Sequence, residues 1–399
     1  MALQSSGAIS LDDIHDEAGG TSGSTATIND ADIRALISKS AGASMAFNEW
    51  YGASASATYG RAVTFGGYNT GGASVAAQWG AGDHIDYVDI ASTGNASDFG
   101  ELYNDGRKRD LGAMGSNGSR ALSYGGHRRD RYNNAETYVN EIEYITLTST
   151  GNGSDFGNLS KYCFNQGGLS SQTRGIAIIG RYSNNQTSLA GRSDTIEYVT
   201  IASAGNVTDF GNQHGQSSAN ATTGSATRGV YAGGVANEGA GNVNVSSMKY
   251  ITIANTGDAS DFGTLDTSYT RHKKFVGVAS STTRGLFMGG VRNNNDGSNP
   301  GSPTADSTYG RTDTVEYITI ANTGNGTDFG NLSSFRYIGG QTSSRTRALG
   351  MGGQDYEGAS VNIIEYFTID STGNATDFGD LTVTKSELAG NSGAHGGVV

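Results

Sequence analysis

The chain has 399 residues, 62 of them glycine, with 35% hydrophobic residues and a formal net charge of −12. The acidic charge argues against nucleic-acid binding, and a single cysteine, Cys163, excludes an intrachain disulfide framework and a cysteine-rich zinc site. No apolar run approaches the roughly 18 residues of a membrane helix, so we expect no membrane insertion.

Residues 1–49 are predicted to form a short attachment segment that contains small helices. Three phrases each place small residues before an Asp or Asn cap position and a brief apolar spacing, as at Ile33, Leu36 and Ile37. The start has neither the basic region nor the apolar stretch of a secretory signal, so we expect a protein made in a cytoplasm. Because the segment is too short for a core of its own, we expect it to dock on another protein.

Within residues 50–399 one phrase returns six times and organises the rest of the chain. Each copy is an apolar run with a tyrosine, a Thr-Gly-Asn-type turn, and Asp-Phe-Gly. An acidic residue precedes the tyrosine in five copies, and Lys249 takes its place in the fourth. The copies begin at Ile85, Ile142, Ile196, Met248, Val315 and Ile364. A repeat of about 50 residues indicates one supersecondary unit stacked on itself, because a single unit cannot bury its own apolar face.

Each repeat is predicted to hold four short antiparallel strands. In the last copy these fall near Tyr337–Thr342, Arg347–Met351, Asn362–Ile369 and Ala375–Leu381, where β-branched and aromatic residues are bounded by Gly, Asn and Ser. The Thr-Gly-Asn turn is expected to supply positive φ values that let the third strand reverse into the fourth.

Two charged positions occur in all six copies. An arginine opens the second strand, as Arg61, Arg120, Arg174, Arg228, Arg284 and Arg347; an aspartate precedes the phenylalanine, as Asp98, Asp155, Asp209, Asp261, Asp328 and Asp377. Residues repeated in every unit rarely form one unique active site. We therefore predict a structural role for them, in pairing strands or neighbouring units.

The connections between the second and third strands are long and differ in every copy, so they are the predicted binding surface. They span 68–84, 127–141, 181–195, 235–247, 291–314 and 354–363. Tyr, Trp and Arg side chains are typical interface anchors. The candidate binding residues are Tyr68, Trp79, Arg128, Arg129, Arg131, Tyr132, Asn293, Asn294 and Asn295.

A four-stranded unit with Arg before strand two and Gly-Gly after it resembles a kelch repeat. Kelch repeats build β-propellers, so the resemblance implies an all-β, six-bladed kelch-like β-propeller over residues 50–399. The phenylalanine of Asp-Phe-Gly stands where kelch repeats have tryptophan. Two segments compete to close the ring: 382–399 after the last repeat, which we favour, and 50–59 before the first. A seven-bladed ring patched from both ends is the alternative.

The opening MALQSSGAIS resembles the leader of many tailed-phage structural proteins. The resemblance implies a non-enzymatic virion protein of the tail-fibre, baseplate or adhesin type, oligomeric on the particle. Its expected partners are other virion proteins, through the N-terminal segment, and a host surface glycan or protein. A head-surface decoration protein and a glycosidase or lyase acting on host polysaccharide are the alternatives.

The sequence predicts no catalytic residue, cofactor or metal site. Asp-Phe-Gly invites comparison with kinases, but it recurs six times in strand–turn context without the glycine-rich loop and strand lysine that kinases need. The histidines are too scattered to suggest a metal cluster. Carboxylates are plentiful, yet no pair stands apart from the repeat as a glycosidase pair would.

Overall fold

The computed structural model describes residues 9–17, 25, 27–28, 30, 33–34, 44, 46–50, 60–68, 82–103, 107–110, 113–130, 136–238, 241–265, 271–274, 276–294, 311–337 and 339–398. The chain divides into two compact units, Met1–Gly60 and Arg61–Val399. Of the described residues, none belongs to a helix long and apolar enough to cross a membrane.

Within these residues the larger unit is a six-bladed β-propeller, as predicted. Each blade is an antiparallel sheet of four strands. From the inner to the outer strand, blade 1 has Ala389–Ser392, Arg61–Phe65, His84–Asp89 and Ser97–Glu101; blade 2 has Ala113–Ser116, Arg120–Asp130, Glu136–Thr146 and Ser154–Phe164; blade 3 has Gly167–Ser170, Arg174–Ile178, Thr195–Thr200 and Thr208–Asn212. Blade 4 has Ala221–Gly224, Arg228–Ala232, Ser247–Thr252 and Ser260–Thr264; blade 5 has Gly277–Ser280, Arg284–Met288, Thr314–Thr319 and Thr327–Asn331; blade 6 has Gly340–Ser343, Arg347–Met351, Val361–Thr368 and Thr376–Lys385.

The ring is closed by the strand Ala389–Ser392, which follows the sixth repeat. It pairs with Arg61–Phe65 in the register Ala62↔Ser392 to Phe65↔Ala389 and so provides the inner strand of blade 1. The favoured closing segment is therefore correct. The seven-bladed alternative is wrong for the part of the chain that the structure describes, because that inner position is already filled.

The apolar core lies between the blades. One cluster joins Ala62 and Val88 of blade 1 to Leu349 and Phe378 of blade 6, and five further clusters lie between the other neighbouring pairs. The strands bury side chains on both faces because each sheet packs against a neighbour on either side.

The face that carries the connections between strands two and three is called here the loop face. It holds additional short strands, so the predicted loops are partly a second tier of small sheets. The added strands are Arg107–Asp110, Arg181–Ser183, Leu189–Arg192, Ser217–Ser218, Val235–Glu238, Gly241–Asn244, Arg271–Lys274, Val291–Asn294, Arg336–Tyr337 and Gln354–Asp355. The opposite face carries the short turns that follow strands one and three.

The unit Met1–Gly60 contains an α-helix, Leu11–Glu17, and a 3₁₀ turn, Phe47–Trp50. Ser10 and Asp13 cap the helix reciprocally: the Asp13 N–H donates to Ser10 Oγ (3.0 Å) and the Ser10 N–H donates to Asp13 Oδ2 (2.7 Å). Ile14, Ile33 and Trp50 are fully buried, and Trp50 Nε1 donates to the Ile33 carbonyl (3.3 Å). Three large apolar side chains of this segment are thus withdrawn from water.

Candidate binding face and central channel

The repeated arginines are positioned by the turn between strands one and two. In blade 3 the Ser171 hydroxyl accepts hydrogen bonds from the Thr173 and Arg174 N–H groups (3.3 and 3.1 Å), a local side-chain turn that serine favours. Blades 4, 5 and 6 repeat it with Ser225, Ser281 and Ser344. The pattern Ser-x-Thr-Arg therefore starts strand two with its arginine in a fixed place.

Each of these arginines links its own blade to the next. The Arg174 guanidinium lies over the Tyr198 ring (4.6 Å to the centroid) and donates from Nη1 to the Ile253 and Ala254 carbonyls of blade 4 (2.8 Å each). The other five make the same contacts with their tyrosine and with a carbonyl of the following blade, Arg347 of blade 6 reaching Ile90 of blade 1. The arginines thus form a closed ring of charge-assisted hydrogen bonds.

The Thr-Gly-Asn turn of each blade clamps the Asp-Phe-Gly segment of the preceding blade. Gly324 N–H donates to the Phe262 carbonyl (2.9 Å), and Asn325 Oδ1 accepts from the Thr264 N–H (3.0 Å). Equivalent bonds recur around the ring, ending with Gly94 to Phe378 and Asp380 to Asn95. The φ of Gly324 lies outside the left-handed region. The expected reason for this glycine, positive φ, is therefore wrong there, and its contribution to the contact between blades is the hydrogen bond that its N–H donates.

The repeated aspartates, in contrast, are exposed on the outer strands. Each faces the charged residue of strand three across the register, as Asp98 faces Asp86 and Asp261 faces Lys249. Lys249 and Asp261 form an ion pair, and this bond lowers the pKa of Asp261. With 73% of the Asp261 side chain exposed, the pair adds little stability.

The strand-three carboxylates are buried and bind the preceding blade. Asp86 accepts hydrogen bonds from Thr382 Oγ1 and Lys385 Nζ (2.7 Å each), and Glu365 accepts from the Ser333 N–H (2.9 Å) and pairs with Arg336. Burial raises the pKa of Glu197, although the Ser160 hydrogen bonds oppose it. These contacts place a second polar link between blades 6 and 1, between blades 5 and 6 and between blades 2 and 3.

The candidate loop residues fall into four groups. Tyr68 exchanges backbone hydrogen bonds with Ser386 (2.6 and 2.8 Å). Arg128 is only 5% exposed and pairs with Glu141, so its side chain is part of the scaffold and not the exposed anchor that the sequence suggested. Arg129, Asn293 and Asn294 are placed by backbone pairing in second-tier strands. Trp79, Arg131, Tyr132 and Asn295 lie outside the described residues.

The inner strands of the blades surround a central channel that contains a cavity of about 120 Å³. It extends from Gln166, before the inner strand of blade 3, to His395, beyond the inner strand of blade 1. Its lining is made of amide, hydroxyl and small apolar side chains such as Asn391, Thr222 and Ser170. Among the described lining residues, His395 is the single titratable one.

The segment 393–398 lies across the short-turn end of the channel and is held there by His395. Its Nε2 lies 2.9 Å from Ser116 Oγ and 3.1 Å from Ser170 Oγ, and its Nδ1 accepts the Gly397 N–H (3.1 Å). Because Nδ1 is an acceptor, the ring is neutral with its proton on Nε2. Burial disfavours the imidazolium and lowers the pKa of His395 to about 4.

We expect the docking of segment 393–398 to weaken in mild acid. A released His395 has its ordinary pKa near 6.5, so docking is at full strength above pH 6.5. As the pH falls from 6.5 towards 4, the released form takes up a proton that the docked form does not, which weakens docking by about 1.4 kcal/mol per pH unit. Amide hydrogen exchange of Gly396 and Gly397, corrected for its intrinsic pH dependence, measures this. The His395→Gln variant should lose the dependence; retaining it would contradict this role.

Two features were not anticipated from the sequence: the clamp between Thr-Gly-Asn and Asp-Phe-Gly, and the docked histidine. The docked histidine is indicated by a difference in sequence between the blades. The other blades continue from the inner strand through Ser-x-Thr-Arg or Ser-Asn-Gly-Ser-Arg, whereas Ser392 is followed by Gly-Ala-His. Among the described residues no group of His, Cys, Asp and Glu side chains is arranged to hold a metal ion.

Comparisons with known proteins support the fold alone. No family model matches the chain, and no curated protein matches it, so the kelch and phage resemblances stay predictions. Among solved structures, one described as the structure of YjhT matches with a TM-score of 0.58 and 10% sequence identity, over 74% of this chain and 91% of that chain. The likeness shows that the chain shares a six-bladed β-propeller fold with that protein.

Proposed function

We propose that this chain is a non-enzymatic virion protein of a tailed phage, of the tail-fibre or baseplate adhesin type. It is made in the host cytoplasm and oligomerises on the particle. Residues 1–49 attach it to other virion proteins. The loop face of the propeller binds a host surface glycan or protein, or a neighbouring virion protein.

The observation that carries this proposal is that residues shared by all six repeats join the blades, whereas those that differ between repeats lie elsewhere. All six repeated arginines donate to a carbonyl of the next blade. The Gly and Asn or Asp of each turn bind the blade before them. Among the described residues, the connections that differ between copies lie on the loop face and include the second tier of strands. A rigid ring that carries a variable face suits binding.

The attachment role is supported by the separate N-terminal unit. Met1–Gly60 is a compact unit distinct from the propeller, with its own capped helix and three fully buried apolar side chains. Its opening residues carry the resemblance to phage leaders. A small folded module ahead of a propeller is a suitable means of fixing it to a particle.

Deleting residues 1–48 should abolish incorporation into particles while the propeller stays folded. Incorporation is measured by the protein's abundance in purified particles, and folding by circular dichroism and thermal unfolding of the isolated variant. The matched control is the full chain with Arg345→Gln, a substitution in the short turn of blade 6, which should incorporate normally. A deletion protein that still enters particles would contradict the attachment role.

A further inference from the structure

The inner strand of each blade turns one backbone edge towards the central channel. It pairs with strand two on its other edge only, so alternate residues direct their N–H and C=O groups into the channel. In two places a hydroxyl of the next blade takes both groups. Thr222 Oγ1 accepts from the Gly168 N–H (3.1 Å) and donates to its carbonyl (2.7 Å), and Ser343 Oγ does the same for Ser280 (3.0 and 2.7 Å). A hydroxyl therefore suits this edge.

The same arrangement is incomplete in the next blade along. Thr222 has the position in blade 4 that Gly168 has in blade 3, and Val278 has the position of Thr222 in blade 5. Valine has no hydroxyl to offer to the Thr222 N–H and C=O. Thr222 and Val278 both line the cavity of the channel. Because buried backbone groups require partners, this position favours a group from outside that can both donate and accept.

Three polar side chains on two neighbouring inner strands have unused hydrogen-bonding groups. Gln341 and Thr342 of blade 6 and Asn391 of blade 1 line the cavity, and we call them the polar wall. Thr342 and Asn391 are each only 5% exposed. Asn391 Oδ1 accepts from the Ser392 N–H (2.6 Å), which leaves its Nδ2 free to donate. No described residue forms a hydrogen bond with Asn391 Nδ2, with Thr342 Oγ1 or with the side-chain amide of Gln341.

The lining of the cavity favours an uncharged ligand. His395, the one titratable group among the described lining residues, is neutral, and its two nitrogens are occupied by Ser116, Ser170 and Gly397. An anion or a cation would therefore meet no opposite charge on the lining that the structure describes. Burying an unpaired charge costs far more free energy than burying a hydroxyl that forms hydrogen bonds. The ligand should thus carry hydroxyls and no charge.

The volume of the cavity limits the size of the ligand. About 120 Å³ corresponds to roughly four water molecules at about 30 Å³ each. An engineered apolar cavity of about 150 Å³ in another protein holds benzene, a molecule of about six heavy atoms. Glycerol, with three carbons and three hydroxyls, is therefore of the right size.

We propose that the central channel binds a small neutral polyol with adjacent hydroxyls, either free or as the end group of a longer neutral molecule. The polar wall exchanges hydrogen bonds with the hydroxyls, with Asn391 Nδ2 as a donor and the Gln341 amide and Thr342 hydroxyl as donors and acceptors. The carbon atoms pack against the apolar part of the lining, which includes Leu169 and Val278. This site lies in the channel and not on the loop face, so it does not depend on the proposed adhesin role.

The test is a titration of the ¹⁵N-labelled full chain with glycerol, followed through the side-chain amide NMR signals of Gln341 and Asn391. We expect saturable shifts with a dissociation constant of about 1 mM, a modest affinity for so small a ligand. Shifts that do not saturate, or no shifts, would overturn the proposal by showing that the channel holds only water.

Close analogues of glycerol test which of its groups are recognised. Propane-1,3-diol lacks the middle hydroxyl and should bind about tenfold more weakly. Glycerate and 2-aminopropane-1,3-diol, which carry a carboxylate and an ammonium group, should lose at least as much. Binding of the diol or of either charged analogue as tightly as glycerol would overturn the proposal. Tighter binding of glucosylglycerol than of glycerol would support an end group as the ligand, and the reverse order would support a free polyol.

Substitutions in the polar wall locate the site. Thr342→Val and Asn391→Leu should each weaken glycerol binding about tenfold, because each removes a hydrogen-bonding group and keeps a similar shape. The matched controls Thr372→Val and Asn184→Leu change exposed residues outside the channel and should bind as the parent. Thermal unfolding confirms that each variant is folded, and Thr342→Val still decides the question if Asn391→Leu is not. Unchanged glycerol binding in a folded Thr342→Val variant would refute the assignment.

Discussion

Replacing Gly263 with alanine should lower the free energy of unfolding by about 3 kcal/mol or more. A Cβ there would stand 2.1 Å from the Gly324 carbonyl oxygen and 2.6 Å from its carbon, both backbone atoms of the next blade. The backbone cannot move aside without breaking the bond from Gly324 N–H to the Phe262 carbonyl. The expected loss of stability therefore comes from the contact between blades, and denaturant unfolding of the whole chain measures it.

Gly324→Ala is the matched control for this prediction. It changes the glycine on the other side of the same contact, where an added Cβ meets no heavy atom within 4 Å. Neither glycine has a left-handed φ, so the two substitutions differ chiefly in the clash. We expect Gly324→Ala to stay within about 1 kcal/mol of the parent. Equal losses for the two variants would contradict the clamp.

Ending the chain after Glu387 should abolish cooperative unfolding of the propeller. The truncation removes Ala389–Ser392, the inner strand of blade 1, and Leu388, which is 4% exposed. Arg61–Phe65 then becomes an open edge, and Val63 and Phe65 lose their contact with Ala389. The lost backbone pairing and buried apolar surface are comparable with the whole stability of a domain, about 5–15 kcal/mol.

The control for the truncation ends the chain after Ser392. It removes only the segment that lies across the channel and keeps the closing strand. It should unfold cooperatively and close to the parent, while the shorter chain should recover a cooperative transition when a peptide of residues 388–398 is added. A chain ending at Glu387 that unfolds like the parent would show that another segment closes the ring.

The blade pattern could be predicted because it depends on local sequence: β-branched and aromatic strand residues bounded by turn residues. In the last repeat the predicted second strand, Arg347–Met351, coincides with the observed strand. The predicted fourth strand ended at Leu381, whereas the observed strand continues to Lys385. The extension is tertiary in origin, because Lys385 is fully buried and binds Asp86 of blade 1. The sequence places Lys385 beyond the predicted strand as a polar residue, whereas in the structure it is a buried ion-pair partner.

The contacts made by the individual positions of the repeated phrase could not be predicted from the sequence. The exposed aspartates and the clamping glycines recur equally in all six copies, yet only the glycines lie at contacts between blades. Recurrence indicates that a position belongs to the scaffold without saying which partner it meets.

The most direct test of the closed ring is a disulfide between Ala62→Cys and Ser392→Cys. The two residues are directly opposite in the register and both fully buried, and directly opposite residues in an antiparallel pair are close enough to be bridged. Cys163 does not compete, because burial raises its thiol pKa. Mass spectrometry of the oxidised protein should find the 62–392 bridge, and no bridge in the control pair Ala62→Cys and Asn391→Cys, which lie on opposite faces. Absence of the 62–392 bridge in the folded protein would contradict closure of the ring by the strand that follows the sixth repeat.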